Sequence, residues 1–344
     1  MAICNEEGCQ VLMTGKCINN LQIDNCPHYS DVKGFDNNSQ LEFDEDKDVV
    51  IGKIEVNKNV IDVYSGKALN LTEVNRISKS SLTRLVILAG LPDAGKTTML
   101  LSLMHLFQTN TSFEGFLFAG SETLLDFEEK SHPSKIASEK LDDDTNRTPI
   151  GPPTFLHLKV AQQTDVNNTI DLLFTDISGE LFIALKDSSQ DAKKFIICQR
   201  ADHFALFFDS DRITTLKERA NARTSGLGII RSLNESGTLL PHTHIQVIFS
   251  RWDLFKNKGD QKIHNQFIDL LKTDISSQFG KLYDITFFEV SARPKSGTLP
   301  FGFGINKIFP LWVTKSILDG NTLHETSSNE NNLTREFSQY KFNN

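Results

Sequence analysis

The segment Gly90–Thr97, which reads GLPDAGKT, constrains the fold of this chain more than any other feature. It fits the pattern G-x-x-x-x-G-K-[ST], in which a glycine-rich loop directs successive backbone N–H groups at a phosphate. The apolar run Leu85–Ala89 precedes the loop, and its β-branched centre is typical of a buried parallel strand. Thr98–Gln108 follows with leucine and methionine at helical spacing. This order of strand, loop and helix predicts a phosphate site at a helix N-terminus.

Each residue type in this loop suits one task in holding phosphate. Gly90 and Gly95 allow the backbone to bend and to approach an anion closely. Lys96 supplies positive charge at the β- and γ-phosphates, and the Thr97 hydroxyl can bind Mg²⁺. The predicted phosphate-binding residues are Gly90, Asp93, Ala94, Gly95, Lys96, Thr97 and Thr98. The alternative is a glycine-rich turn that binds nothing.

Composition limits the classes of protein to which the chain can belong. Its 344 residues, 39% of them apolar, suffice for one large domain with an appendage or for two domains. The net charge of −8 argues against a nucleic-acid surface spread over the whole protein. No apolar run approaches the roughly 20 residues of a membrane-spanning helix, and the first residues do not resemble a signal peptide. We therefore expect a soluble, cytoplasmic protein.

Apolar runs separated by helical or loop stretches predict an α/β fold. The six predicted strands are Leu85–Ala89, Phe155–Val160, Ile170–Thr175, His203–Phe208, Ile245–Phe249 and Ile285–Val290. We expect a mostly parallel six-stranded sheet with helices on both faces. Phe155–Val160 alternates apolar and polar residues, which indicates a half-covered edge strand. The long connections 121–153 and 177–202 are expected to be functional or disordered loops.

Changes in composition along the chain predict four parts. Residues 1–30 form a cysteine-rich leader, and residues 31–80 form a polar linker that contains short strands and a helix. Residues 81–318 form the α/β domain, and the asparagine-rich residues 319–344 form a flexible tail.

A second motif, DISGE, comes directly after the predicted strand Ile170–Thr175. At the end of such a strand, Asp176 can hold Mg²⁺ through a water molecule, and Gly179 can offer its N–H to a γ-phosphate. The alternative is a simple turn that happens to contain aspartate and glycine. Two strands after a phosphate loop, the motif favours a nucleotide switch.

Two further motifs come after the last two predicted strands. Ser250–Asp253, which reads SRWD, resembles the N/T-K-x-D element of GTPases, whose aspartate accepts the N1 and N2 hydrogens of guanine. Arg251 replaces the lysine that lies over the base, and it can pack there in the same way. The alternative is that Asp253 caps a helix. Ser291 and Ala292 begin an S-A-R tripeptide that resembles the S-A-K loop at the guanine O6.

Four motifs in this order resemble the GTPase class of P-loop proteins across residues 81–318. The resemblance implies a switch threonine before the second strand, for which Thr148 and Thr154 are the candidates. We favour Thr148, because the neighbouring Arg147 could stabilise transition-state charge from within the chain. The alternative is that Arg147 is a solvated loop residue.

Glu180 departs from the pattern of small GTPases, which commonly carry glutamine at this point to orient the attacking water. A glutamate can accept the proton of that water, but its charge lies near an anionic phosphate. We therefore predict a water-positioning role for Glu180, with hydrolysis that is slow or depends on a partner.

Several longer stretches resemble a narrower group, the type-2 members of the double-GTPase family. They are GLPDAGKTTML, LFAGSETLLDFE, NRTPIGPPTFLHL, DLLFTDISGELF, QRADHFALFFD and the leader GKCINN…CPHY. Those bacterial proteins are encoded beside a second GTPase in predicted conflict systems. The resemblance implies that Arg147-Thr148 match the family's R-T and that Ser121, Glu122 and Phe127-Glu128 belong to a family-specific insert.

Four of the five cysteines lie in the first 26 residues, which suggests a metal rather than disulfides in a reducing compartment. The candidate ligands of one tetrahedral Zn²⁺ are Cys4, Cys9, Cys17 and Cys26, with His28 as an alternative ligand. The spacings lack paired C-x₂-C knuckles, so a set of free thiols is the competing interpretation.

Together these patterns predict a Mg²⁺-dependent switch that binds GTP and hydrolyses it to GDP and phosphate. Lys96, Arg147, Thr148 and Glu180 are the predicted catalytic residues, and Thr97, Thr148 and Asp176 are the predicted magnesium ligands. The resemblance implies a bacterial conflict system and a protein partner, either a second GTPase or an effector. The alternatives are a slow or non-hydrolysing nucleotide-bound scaffold and a P-loop ATPase.

Overall fold

The computed structural model describes residues 64–132, 148, 151–186, 188–295 and 299–314, together with two short strands near the N-terminus. The chain divides into two compact units, Met1–Ile61 and Asp62–Asn344. In the first unit, β1 (Ala2–Cys4) pairs antiparallel with β2 (Tyr29–Asp31). The other predicted zinc ligands, Cys9, Cys17, Cys26 and His28, lie outside the described residues, so the zinc site stays a prediction.

The second unit is built on a seven-stranded sheet in the order β4-β5-β6-β3-β7-β8-β9. Its strands are β3 (Thr83–Gly90), β4 (Phe116–Gly120), β5 (Thr154–Gln162), β6 (Asp165–Asp176), β7 (His203–Asp209), β8 (His244–Ser250) and β9 (Ile285–Glu289). The five strands from β6 to β9 in this order are parallel, and β4 and β5 extend the sheet antiparallel. The carboxyl ends of the parallel strands therefore meet at one edge.

Helices cover both faces of this sheet. They are α1 (Leu71–Ser80), α2 (Lys96–Thr109), α3 (Leu124–Ser131), α4 (Gly179–Lys186), α5 (Ser189–Lys194), α6 (Ser210–Thr214), α7 (Leu216–Glu235), α8 (Trp252–Lys256), α9 (Gln261–Phe279) and α10 (Ile305–Val313). Side chains of β3 alternate between two cores: Leu85 and Ile87 face α4, α7 and α9, while Val86 and Leu88 face α2 and α10. Among the described residues, no helix has the length and apolar character needed to span a bilayer.

All six predicted strands are present, but the prediction of a six-stranded sheet is wrong. The seventh strand, β4, pairs with the outer side of β5, so β5 is not an edge strand. Its alternating His157 is buried, and Ser121, Glu122 and Thr123, which follow β4, bond to it. The His157 Nδ1 accepts from the backbone N–H of Glu122 at 2.9 Å, and its Nε2–H donates to Asp171 Oδ1 at 2.8 Å. A polar residue that is fully bonded inside the protein looks, in sequence, like one that faces water.

The connection 177–202 is helical and not the loop that its length predicted. It contains α4, α5 and the 3₁₀ helix Ile196–Arg200, and it buries Phe182, Leu185 and Cys198. Burial raises the pKa of the Cys198 thiol to about 12, so this cysteine stays protonated and unreactive at neutral pH. The hydrophobic surface of these short helices, rather than a long periodic pattern, orders the segment.

Acid pH is expected to destabilise the fold through His203. This residue of β7 is buried, and its Nδ1 accepts from the Gln246 amide at 3.0 Å. Burial, with smaller contributions from His244 and Arg84, lowers the pKa of His203 to about 3. The unfolded chain binds this proton near pH 6.5, so stability from the neutral imidazole is present above about pH 6.5 and is lost as pH falls toward 3.

We predict a loss of up to about 1.4 kcal/mol of unfolding free energy per pH unit in that window from this group. Urea denaturation at pH 7 and pH 5 measures it, with His203→Gln as the variant that cannot take up the proton. The variant should show a shallower pH dependence. An equal slope in both proteins would contradict the assignment to His203.

Candidate functional site

A cavity of about 650 Å³ lies at the carboxyl edge of the parallel strands. The segments after all five parallel strands, β3, β6, β7, β8 and β9, form its walls. It is lined by predicted site residues from all four motifs: Asp93, Ala94, Gly95, Lys96, Thr97, Thr98, Thr148, Gly179, Glu180, Arg251, Asp253, Ser291 and Ala292. Gly90 and Asp176 are not lining residues, but they bond to two of them: the Gly90 carbonyl to Lys96 and the Asp176 carboxylate to Thr148. Arg147 lies outside the described residues. The volume is that of a site for a ligand of nucleotide size.

Two backbone positions explain why the loop after β3 requires glycine. Gly90 has a φ of +144°, and a Cβ there would lie 2.8 Å from the carbonyl oxygen of Phe207 in β7. Gly95 has a φ of +83° and immediately precedes α2. Left-handed backbone at this point turns the chain into the helix, so the first N–H groups of α2 face the cavity.

Lys96 folds back on its own loop. Its Nζ donates to the carbonyl oxygens of Gly90 and Leu91, each at 3.1 Å. Burial lowers its pKa to about 8, although the carboxylates of Asp176, Glu180 and Asp93 partly oppose the shift. An anion in the cavity would favour the charged ammonium, so the residue is suited to meet a phosphate.

The carboxylate of Asp176 is engaged on both oxygens. The Thr148 hydroxyl donates to Oδ1 at 2.9 Å, and the Lys130 ammonium lies 3.2 Å from Oδ2. Thr154, the other switch candidate, donates to the backbone carbonyl of Asp176 at 3.4 Å and does not line the cavity. Of the two candidate threonines, Thr148 is therefore the one in contact with the acidic side chain.

Lys130 is a site residue that the sequence analysis did not identify. It lies in α3, between β4 and β5, and its Nζ also contacts Asp126 Oδ2 at 2.6 Å. Burial alone would lower the pKa of Lys130, but the carboxylates of Asp176 and Asp126 outweigh it and raise the pKa. The pair Asp126–Lys130 reads in sequence as an ordinary i,i+4 helix pair, and nothing in that spacing indicates Asp176 as a partner.

The start of α4 approaches the phosphate loop closely. A Cβ on Gly179 would lie 2.3 Å from the backbone nitrogen of Pro92, so only glycine fits. Glu180, the next residue, lines the cavity and accepts a hydrogen bond from the Ser178 hydroxyl. Ser178 is a second residue that the sequence analysis did not single out.

Asp253 connects two of the motifs. Its carboxylate accepts from the Ser291 hydroxyl and from the backbone N–H of Lys295, the latter at 2.9 Å. Arg251, not Asp253, is the residue that precedes α8, so the alternative interpretation of Asp253 as a helix cap is wrong. Each carboxylate oxygen keeps a lone pair for a further donor. The side chain is thus fixed in the wall of the cavity and remains able to accept hydrogen bonds.

A chain of ion pairs joins the loop after β8 to the phosphate loop. The Arg251 guanidinium bonds Asp209 Oδ2 at 3.0 Å, and Arg212 lies 3.5 Å from the same oxygen. Arg212 also lies 3.6 Å from Asp93 of the phosphate loop. Burial raises the pKa of Asp209, and the two guanidinium groups offset only part of this effect. Asp209 is the last residue of the fully buried strand β7. An aspartate at the end of an apolar run is the sequence feature that could have identified it as a site residue.

The fold and the cavity define a P-loop nucleotide-binding protein of the α/β class. The chain belongs to the Double-GTPase 2 family, whose model matches residues 84–313. No curated protein matches it significantly in sequence. Among solved structures it is similar to a chain of the signal recognition particle receptor SRb-GTP/SRX complex from Chaetomium thermophilum, with 13% identity and a TM-score of 0.36. That similarity covers 68% of this chain and 96% of the other.

We predict that Gly179→Ala abolishes tight nucleotide binding without unfolding the protein. The added methyl must displace Pro92 and with it the phosphate loop. Titration with a fluorescent guanine nucleotide should give an affinity at least about tenfold weaker, which corresponds to about 1.4 kcal/mol. Gly259→Ala is the matched control, because a Cβ there meets nothing within 4 Å. Equal affinities for the two variants would contradict the predicted contact.

Proposed function

We propose that this protein binds GTP with Mg²⁺, hydrolyses it to GDP and phosphate, and changes conformation with the state of the bound nucleotide. One observation carries the proposal: Asp253, held by Ser291, shares a single cavity with the loop Gly90–Thr97. A fixed base-reading carboxylate and a phosphate loop in one cavity match the two ends of a guanine nucleotide.

The choice of guanine rests on hydrogen-bond polarity. Guanine presents two N–H donors, N1 and N2, on one edge, and the Asp253 carboxylate supplies two acceptors. Adenine has an acceptor at N1, so it would leave the buried carboxylate opposite a second acceptor. An unpaired buried polar group costs enough binding energy to reject the wrong base. Ser291 and Ala292 supply the adjacent backbone, as the family resemblance implies.

The residues at the phosphate end fit a magnesium ion. Thr97, Thr148 and Asp176 offer hydroxyl and carboxylate oxygens, which are the ligands that Mg²⁺ prefers. No group of three or more His, Cys, Asp or Glu side chains in the described parts of the chain could hold a metal alone. This composition suits an ion whose remaining ligands are water and phosphate. When bound, such an ion neutralises charge on the phosphate oxygens.

Glu180 is the proposed water-positioning residue. It lies in the cavity wall beside Gly179, whose backbone contacts the phosphate loop. The Ser178 hydroxyl donates to one of its oxygens, which orients the carboxylate and occupies that acceptor. This arrangement favours hydrolysis that is slow until a partner shifts the pair. By family resemblance alone, we propose a bacterial conflict system as the setting and a second GTPase or an effector as the partner.

Asp253→Asn should exchange guanine preference for xanthine preference. The asparagine amide can donate to the carbonyl at C2 of xanthine but cannot accept both guanine hydrogens. Competition against a fluorescent guanine nucleotide should show GDP weakened by at least about tenfold and XDP strengthened. Asp260→Asn, which alters an exposed aspartate outside the cavity, is the control. Unchanged selectivity in Asp253→Asn would contradict the proposed base recognition.

Glu180→Ala should slow the chemical step and spare binding. Loss of a positioned base typically reduces the rate by about 100-fold or more. Single-turnover phosphate release from bound GTP measures this step separately from exchange. A wild-type rate in the variant would remove Glu180 from the mechanism. Tight GTP binding with no phosphate release by the wild-type protein would favour the non-hydrolysing scaffold instead.

A further inference from the structure

Lys130 is a partly buried cation from a helix outside the four nucleotide motifs, and it contacts the carboxylate of Asp176. The side chains of Lys130 and Asp176 are 19% and 7% exposed, and 3.2 Å separates Nζ from Oδ2. Asp126 holds the same ammonium at 2.6 Å and shares α3 with it. The ammonium therefore bridges a helix carboxylate and a site carboxylate, which is more than an i,i+4 helix pair requires.

The Lys130 ammonium places positive charge beside the Asp176 carboxylate, as a divalent cation would. A buried carboxylate requires a positive partner, and Thr148 alone donates only a neutral hydroxyl to it. Two cations at one carboxylate in a partly buried site repel each other strongly. A divalent ion that enters beside Thr97 therefore weakens the contact between Lys130 and Asp176.

The attachments of α3 determine which part of the helix is released when that contact weakens. At the start of the helix, the Ser121 and Thr123 side chains bond the backbone of His157 in β5. Near the middle, Phe127 is buried in the core. In the last turn, Lys130 pairs with Asp176, and Glu129 pairs with Lys67. Loss of the Lys130–Asp176 pair would leave the carboxyl-terminal turn held by fewer contacts and the rest of α3 in place.

We propose that Lys130 is a positioning residue that occupies Asp176 when no divalent cation is bound and leaves it when the cation and nucleotide bind. The last turn of α3 thereby reports the state of the site, and the family-specific insert acts as an additional switch element. This inference rests on the proposed function. By linkage, a contact that competes with the cation must weaken its binding by the same factor by which the cation weakens the contact.

The first test is the magnesium dependence of nucleotide release. Fluorescent GDP is loaded on wild-type protein, Lys130→Met and Lys67→Met, and its release rate is measured across Mg²⁺ concentrations from chelator upward. Lys67 is the matched control, since it pairs with Glu129 on the same helix but does not contact Asp176. The Mg²⁺ concentration for half-maximal slowing should fall by about tenfold in Lys130→Met, while Lys67→Met should match the wild type.

The second test measures amide hydrogen exchange in α3 itself. In the wild type, exchange in the last turn of Leu124–Ser131 should rise on addition of Mg²⁺ to the GDP-bound protein. In Lys130→Met, amide hydrogen exchange in this turn should already be fast without Mg²⁺ and should not change when Mg²⁺ is added. Lys130→Arg keeps the charge and should restore both wild-type behaviours. If Lys130→Met does not fold, the wild-type exchange measurement decides by itself.

The two tests separate this inference from the proposed function. The role of Lys130 alone would be overturned if the Mg²⁺ concentration for half-maximal slowing of GDP release were the same in Lys130→Met and in the wild type. It would also be overturned if hydrogen exchange in α3 of the wild type did not change on addition of Mg²⁺. Failure of any guanine nucleotide to bind the wild-type protein would overturn the proposed function, and the inference with it.

Discussion

The parallel pairing of β3 between β6 and β7 is the constraint on which the site depends. Val86 lies opposite Phe174 on one side and His203 on the other, and all three strands run in the same direction, so their carboxyl ends lie at one edge of the sheet. Because β8 and β9 continue the same parallel order, five loops from distant parts of the sequence reach one edge. The buried alternation of β3 between two cores holds this arrangement, since a shift by one residue would exchange its two faces.

The charged side chains around this edge have hydrogen-bond or ion-pair partners inside the protein. Asp176 has Lys130, Asp209 has Arg251, and Asp253 has Ser291 as its main side-chain partner. Lys96, in turn, rests on backbone carbonyls of its own loop. When a ligand binds at such a site, groups of the ligand replace some of these protein partners. Each replacement can change the conformation of the protein. Electrostatic interactions are stronger away from water, so each replacement of a partner at this site has a substantial energetic effect.

Much of this architecture can be predicted from sequence, because strands that end in conspicuous motifs carry two signals at once. Leu85–Ala89 is marked both by its apolar run and by the glycine loop after it. β4 escapes prediction, since a strand of five residues that ends in glycine provides too short a pattern. Without β4, the neighbouring β5 reads wrongly as an edge strand. Lys130 cannot be found from sequence, because its contact with Asp176 depends on how α3 packs and not on any local spacing.

The identity of the base that this cavity accepts is the central question about the protein. Calorimetric titration of the full chain with GDP and with ADP, each with Mg²⁺, measures that choice directly. We expect one GDP per chain and a preference over ADP of about 10⁴-fold, because a buried acceptor pair would meet two donors on guanine. Equal affinity for the two nucleotides, or tighter binding of ADP, would contradict guanine recognition by Asp253.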